Sequence, residues 1–196
     1  MRLIFATHND NKLIEVRKMI SKKINIQSLS DLSFNSEIPE NENTIKENSI
    51  FKAKFIYSKF KLNVFADDTG LEVEALGGKP GVHSARYAGN DKNNKKNIKK
   101  LLDSLSETEN RKANFRTVIS LIFKKNLYIF EGKIYGKISS SEKGSYGFGY
   151  DPVFIPDGFK KTFGELKPDF KNTISHRAIA FKKLINFLKT NHDFKN

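Results

Sequence analysis

Short apolar runs alternate with stretches of helical period along this chain, the pattern of an α/β domain. Arg2 to Thr7 reads as a buried strand. The polar turn His8-Asn9-Asp10-Asn11 then opens a helix with Leu13, Val16 and Ile20 on one face. Ser28 to Asn43 is polar and irregular. Thr44-Ile45-Lys46-Glu47 matches a capping box, and its helix carries Ile50, Ala53, Tyr57 and Phe60 at helical spacing. Leu62 to Ala66 is a strand that ends in Asp67 and Asp68, and Thr69-Gly70 must break the strand if both acids are to face one site. Asp91 to Leu105 reads as a helix with Ile98, Leu101, Leu102 and Leu105 inward. Ala113 to Phe123 alternates through Phe115, Thr117, Ile119, Leu121 and Phe123; Lys124-Lys125-Asn126 turns it and Leu127 to Ile138 returns, a hairpin. A Ser/Gly-rich loop covers Ser139 to Gly149, and Ser175 caps a final helix carrying Ala178, Phe181, Leu184, Ile185 and Leu188. With no repeat and no linker, residues 1–196 read as one α/β domain with a mixed sheet.

Composition narrows the class. A hydrophobic share of 38% and a charged share of 29% are ordinary for a globular chain. With no Cys, disulfides, thiolate zinc sites and thiol catalysis are excluded. The N-terminal apolar run is too short for a secretory signal, and no segment reaches the roughly 18 apolar residues of a membrane span. The expectation is a soluble, cytoplasmic protein. The net charge of +13 has two sources on offer. One is a polyanionic partner. The other is drift toward Lys, Asn, Ile and Phe, residues with A/T-rich codons. The densest basic run, Lys92 to Lys100, has no interleaved aromatics and reads as a solvated helix face.

The chemistry-bearing residues fall in four places. P-loop, HExxH and GxSxG motifs are absent, and the histidines lack zinc-ligand spacing. First, Thr7, His8, Asn9, Asp10, Asn11 and Lys12 lie between a strand and a helix, where N–H groups, the dipole and a Lys charge suit a polyphosphate; a plain Asn-capped turn has the same look. Second, Glu40, Glu47 and Asp67-Asp68 supply carboxylates for a Mg²⁺ ion and for a base that activates water. Neighbours on a regular strand point to opposite faces, so one of the aspartates is structural unless the strand breaks. Third, in Gly144 to Pro152, glycines allow close backbone approach, Phe148 and Tyr150 offer rings for stacking on a base, and Asp151 offers a base-edge reader. A flexible hairpin loop is the plainer reading. Fourth, Lys171, His176 and Arg177 are read as donors at the start of the last helix, a place where cations oppose the dipole unless an anion sits among them.

In this order the segments ATHNDNK, TIKENSIFKAK, FADDTGLEVEALGGKPGVHSARYAG, GFGYDPVF and ISHRA closely resemble the inosine/xanthosine triphosphate pyrophosphatase family over nearly the whole chain. The resemblance implies an elongated mixed β-sheet flanked by helices, two lobes with a central substrate cleft, and usually a homodimer. It implies Mg²⁺-dependent hydrolysis of a purine nucleoside triphosphate (ITP, dITP or XTP) to the monophosphate and pyrophosphate, keeping such nucleotides out of DNA and RNA. Position by position, Asp68 matches the general base and metal neighbour, and Glu40 a second metal carboxylate, with Glu47 as the fallback. Thr69 matches a substrate contact, and Thr7 to Lys12 the phosphate turn, in which His8 replaces the usual Gly. Phe148, Gly149, Tyr150 and Asp151 match the base pocket; Lys171, His176 and Arg177 match the remaining substrate contacts. Arg86, in SARY, has no clear role. Two other readings stay open: a related hydrolase acting on dUTP or modified pyrimidines, and a basic nucleic-acid-binding module. The acidic run from Asp67 to Glu74 speaks against the second, because carboxylates repel a phosphate backbone.

Overall fold

A computed structural model describes residues 1–20 and 24–191. The strands are β1 (Arg2–Phe5), β2 (Asn25–Ser28), β3 (Val64–Val73), β4 (Pro80–Gly81), β5 (Lys112–Phe123), β6 (Asn126–Ile138) and β7 (Phe154–Pro156). The helices are α1 (Asp10–Met19), α2 (Ile45–Phe60), α3 (Asn94–Ser104), α4 (Pro168–Ile174) and α5 (His176–Asn191). The chain divides into two compact units. The first comprises Met1–Asp68, Thr117–Gly132 and Arg177–Asn196; the second comprises Thr69–Arg116 and Lys133–His176.

In the first unit the strand order is β2-β1-β3-β5-β6. β1 pairs in parallel with β2 and with β3, in the register Ile4–Val64 and Phe5–Phe65. Alternation along β3 sorts its side chains between two cores. Phe65 packs with Leu13 and Val16 of α1 and Phe181 and Leu184 of α5, while Val64 and Ala66 pack with Ala53 and Ile56 of α2. Phe65 stacks on Phe5 at 4.5 Å between ring centroids and meets Phe181 edge-on at 5.5 Å. Helices therefore cover both sheet faces here.

The second unit takes the far portions of β3, β5 and β6, with β4 antiparallel on β3 and β7 antiparallel on β6. Leu71, Val73, Ile98, Leu101, Phe115, Phe154 and Phe163 form its core. The α/β class and the mixed sheet are as the sequence pattern implied.

Several local expectations meet the structure closely. Thr44 caps α2, its hydroxyl accepting the Glu47 N–H at 3.1 Å. Asn9 caps α1 by accepting the Lys12 N–H at 3.1 Å. The tip of the β5–β6 hairpin places Lys124 and Lys125 at φ 48° and 71°, with the Lys124 N–H held by the Asn63 side chain. Three expectations are corrected. Strand β3 does not end at Ala66 but runs through both acids to Val73, because its continuation pairs with β4 at Leu71 and Glu72. The inward face of α2 is Ile45, Asn48, Ser49, Lys52, Ala53 and Ile56, whereas Ile50, Tyr57 and Phe60 are only partly buried. Lys171 is not at the start of the last helix: Pro168 opens the separate α4, and extended Ser175 (ψ 159°) divides it from α5. β2, with Ile26 as its one apolar residue, is a strand that no hydrophobic pattern announced.

Candidate active site

In the first unit, β1 and β3 run parallel, so the turn after β1 and the acids of β3 lie at the same end of the sheet. In open α/β sheets that carboxyl end is where ligands bind. The turn is locally determined. Thr7 Oγ1 accepts the Asn9 N–H at 3.1 Å, and α1 begins at Asp10 with helix-start N–H groups that have no intrahelical acceptor. His8 leans away from the helix. Its ring stacks on Phe34 at 6.1 Å and Nε2 sits 3.0 Å from the Ser36 carbonyl oxygen. Asn9, Asp10 and Asn11 are exposed; Thr7 and Lys12 are partly buried.

Because β3 stays regular, its two aspartates leave opposite faces. Asp67 shares the parity of Phe65 and enters the side covered by α1 and α5. There Lys12 Nζ lies 2.9 Å from its Oδ1 and Arg177 Nε 3.3 Å from its Oδ2. Arg177 also pairs through Nη1 with Glu15 of α1. Burial by itself would raise the Asp67 carboxyl, but Lys12 and then Arg177 outweigh it and hold the group well below the usual carboxylate range. Asp67 is thus an ionised structural partner of two cations.

Asp68 shares the parity of Ala66 and enters the side covered by α2. Lys52 Nζ bridges Asp68 Oδ1 at 3.1 Å and Glu40 Oε1 at 2.8 Å. Lys52 is 4% exposed. Burial works against its charge, but Asp68 and then Glu40 keep it firmly protonated. Asp68 Oδ2, in contrast, is buried and has no hydrogen-bond partner among the described residues. Burial pushes the Asp68 carboxyl above its ordinary range, with Lys52 opposing the shift. An oxygen desolvated and left open is suited to take a proton or to bind a cation.

Glu40 is carried by an irregular segment, held where Glu42 donates its N–H to Asn48 Oδ1 at 3.0 Å. Glu47 is exposed and accepts the Thr44 hydroxyl at 2.8 Å, so it caps α2 while Glu40 is the carboxylate beside Asp68. Among the described residues no cluster of three or more His, Cys, Asp or Glu is preformed for a metal. A Mg²⁺ ion takes one or two protein carboxylates and completes its shell with water and phosphate oxygens. Asp68 and Glu40 are hard oxygen donors of that kind, and the open Asp68 Oδ2 is where such an ion would find an unsatisfied ligand.

The second unit holds the other group. Lys171 Nζ lies 2.5 Å from Asp151 Oδ2, both side chains 3% exposed, and 5.1 Å from the Phe148 ring centroid. Asp151 Oδ2 also accepts the Phe148 N–H at 2.8 Å. Gly147, at φ +76°, sits so close to Asp151 that an added Cβ would fall 1.9 Å from Oδ2. Tyr150 was expected to offer a stacking ring. It is instead 5% exposed within the core, and its hydroxyl donates to the Ser84 carbonyl at 2.8 Å. The SARY segment thereby gains a structural role, since Ser84 Oγ also accepts the Leu71 N–H at 2.8 Å. Gly149 is at φ +62° beside it. His176 is buried and stacks on Phe115 at 4.6 Å. Thr69 is half-buried in β3, one residue beyond Asp68.

Lys52, Glu15 and Asn48 belong to these clusters and were absent from the sequence reading. The available signal was a polar stripe, Asn48, Ser49 and Lys52, at helical spacing beside Ala53 and Ile56. The acids beyond Asp68 lie elsewhere: Glu72 sits 3.7 Å from Arg116 and 3.6 Å from Lys133, and Glu74 accepts Asn110. The basic run is engaged locally, through Lys96–Asp91, Lys99–Asp103 and Lys100 on the Tyr87 carbonyl. No helix among the described residues is long and apolar enough to cross a membrane.

Comparison with known proteins agrees with this geometry. A profile of the Ham1 family matches residues 3–187. A dITP/XTP pyrophosphatase of Porphyromonas gingivalis is 50% identical over 188 residues, covering 95% of this chain and 97% of the relative. That of Christiangramia forsetii is 47% identical, covering 96% and 99%. The solved Ham1 protein of Staphylococcus aureus superposes with a TM-score of 0.89 at 35% identity, over 98% of this chain and all of that one. A Coxiella burnetii HAM1 structure gives 0.89 at 34% identity, over 97% and 99%. A match over nearly the full length places this chain in the Ham1 family.

Proposed function

We propose that this chain is a nucleoside triphosphate pyrophosphohydrolase that converts ITP, dITP and XTP to the monophosphate and pyrophosphate. The observation that carries the reading is Asp68, a buried carboxylate in the middle of β3 with one oxygen engaged by Lys52 and the other without a partner among the described residues. Dedicated dITP/XTP pyrophosphatases among the close relatives support the same substrate class.

In this mechanism the start of α1 and Lys12 bind phosphate oxygens. Asp68 receives a proton from the attacking water as its oxygen bonds to the α-phosphorus. The bond from that phosphorus to the bridging oxygen breaks, and pyrophosphate leaves. Asp68 and Glu40 would hold a Mg²⁺ ion, which when bound draws charge from the phosphate oxygens. Lys52 keeps Asp68 and Glu40 together despite their like charge. Thr69, Phe148, Gly149, Asp151, Lys171, His176 and Arg177 contact the nucleoside and phosphate, with Tyr150 setting the loop that carries Phe148. A homodimer working in the cytoplasm belongs to the same reading. The nucleic-acid alternative draws no support from a basic run already engaged with its own helix and neighbours.

The test is pyrophosphate release from ITP, XTP, dITP, GTP, ATP and dUTP, with and without Mg²⁺. Turnover of the first three only when Mg²⁺ is present is expected. Preference for dUTP, or turnover unaffected by chelation, would refute the base assignment or the metal assignment respectively.

A further inference from the structure

Asp67 joins two groups that the proposed function treats separately. Its oxygens hold Lys12 Nζ at 2.9 Å and Arg177 Nε at 3.3 Å, and its side chain is 0% exposed. Both cations stand in the first turn of a helix, Lys12 in α1 and Arg177 in α5. A cation at that end opposes the helix dipole. Burying ion pairs also seldom stabilises a protein more than apolar side chains of the same shape. Neither the helices nor the core therefore accounts for this arrangement. What it does supply is a fixed geometry: two donors from two helices, set against the two oxygens of one short side chain on a central strand.

We propose that Asp67 is a positioning residue that sets Lys12 for the phosphates and Arg177 for the nucleoside through a single carboxylate, so that the two ends of the substrate are bound interdependently. This inference rests on the reading that Lys12 and Arg177 contact substrate. A phosphate that draws on Lys12 changes the share of Asp67 available to Arg177, and the reverse holds by linkage. Asp67 itself touches neither the water nor the phosphorus.

The test uses two single-ended probes, tripolyphosphate for the phosphate side and inosine for the nucleoside side, with affinity read from ligand-induced shifts in melting temperature. Asp67→Asn is expected to weaken both probes and to raise KM for ITP about tenfold or more, while kcat changes by less than about threefold, because Asp68 is intact. Lys12→Met needs no change at Asp67 and is expected to alter inosine affinity several-fold, although inosine carries no phosphate. If Asp67 were merely structural, Asp67→Asn would lower the melting temperature and leave both affinities and KM unchanged in the folded protein. That result, loss of only one probe, or unchanged inosine binding in Lys12→Met, would overturn the proposal. Should Asp67→Asn not fold, the Lys12→Met result decides alone. A wild-type protein that releases no pyrophosphate from ITP would instead refute the underlying function, whereas normal wild-type turnover with both variants unaltered would refute this inference only.

Discussion

The two sides of β3 in the first unit carry adjacent carboxylates in contrasting surroundings. On the α1/α5 side, Asp67 meets two cations and its charge is held far into the ionised state. On the α2 side, Asp68 shares one cation with Glu40, leaves an oxygen open, and is pushed by burial toward the protonated state. Residue type and strand are the same, and both acids are buried, Asp67 at 1% exposure and Asp68 at 8%. What differs most is the charge around them: two cations at Asp67, one cation shared with Glu40 at Asp68. A carboxylate is fixed in place where its charge is matched and made reactive where it is not.

The sharpest way to break this contrast is to neutralise each acid in turn. Asp68→Asn should lower kcat for ITP by about a thousandfold, within the range of general-base losses, without lowering the melting temperature. Asp67→Asn should instead cost about 3 kcal/mol of stability in a denaturant titration, since it strips a partner from a buried pair while Glu15 still holds Arg177. Equal stability losses in the two variants would abolish the distinction. Next in size is the metal. Glu40→Gln should raise the Mg²⁺ concentration for half-maximal turnover about tenfold, whereas Glu47→Gln leaves it unchanged, because Mg²⁺ relies on few protein carboxylates. Reversed effects would move the second ligand to Glu47. In the second unit, Gly147→Ala places a Cβ against Asp151 at a positive φ. It should raise KM for ITP about tenfold with kcat retained, the signature of lost binding rather than lost chemistry. The smallest effect is expected of Thr44→Ala, a cap loss of about 1 kcal/mol in the unfolding free energy with no kinetic change.

How much of this was legible in sequence follows from how local each feature is. The Thr7–Lys12 turn, the Thr44 cap and the Lys124-Lys125 hairpin depend on contiguous residues, and the chain declares them. The acid pair was also visible, and so was the rule that neighbours on a strand diverge. The strand does not stop at Ala66 because pairing with β4 carries it on to Val73, a contact no local pattern encodes. Lys52 and Glu15 escaped notice for the same reason. Each is an ordinary helical residue until α2 or α1 is laid against the strand that gives it a partner. Tyr150 looked like a stacking ring in a Gly-rich loop, and only packing reveals that its ring lies in the core and its hydroxyl on Ser84. The short α4 that opens at Pro168 and ends at extended Ser175 has no signal in the sequence pattern, which shows Ser175 only as the cap of the last helix.

In the proposed mechanism, water activated at Asp68 attacks the α-phosphorus. The most direct measurement is hydrolysis of ITP with Mg²⁺ in heavy-oxygen water, with the products resolved by mass spectrometry. The label is expected in inosine monophosphate, with pyrophosphate unlabelled. Label in pyrophosphate, or release of orthophosphate with inosine diphosphate, would contradict it.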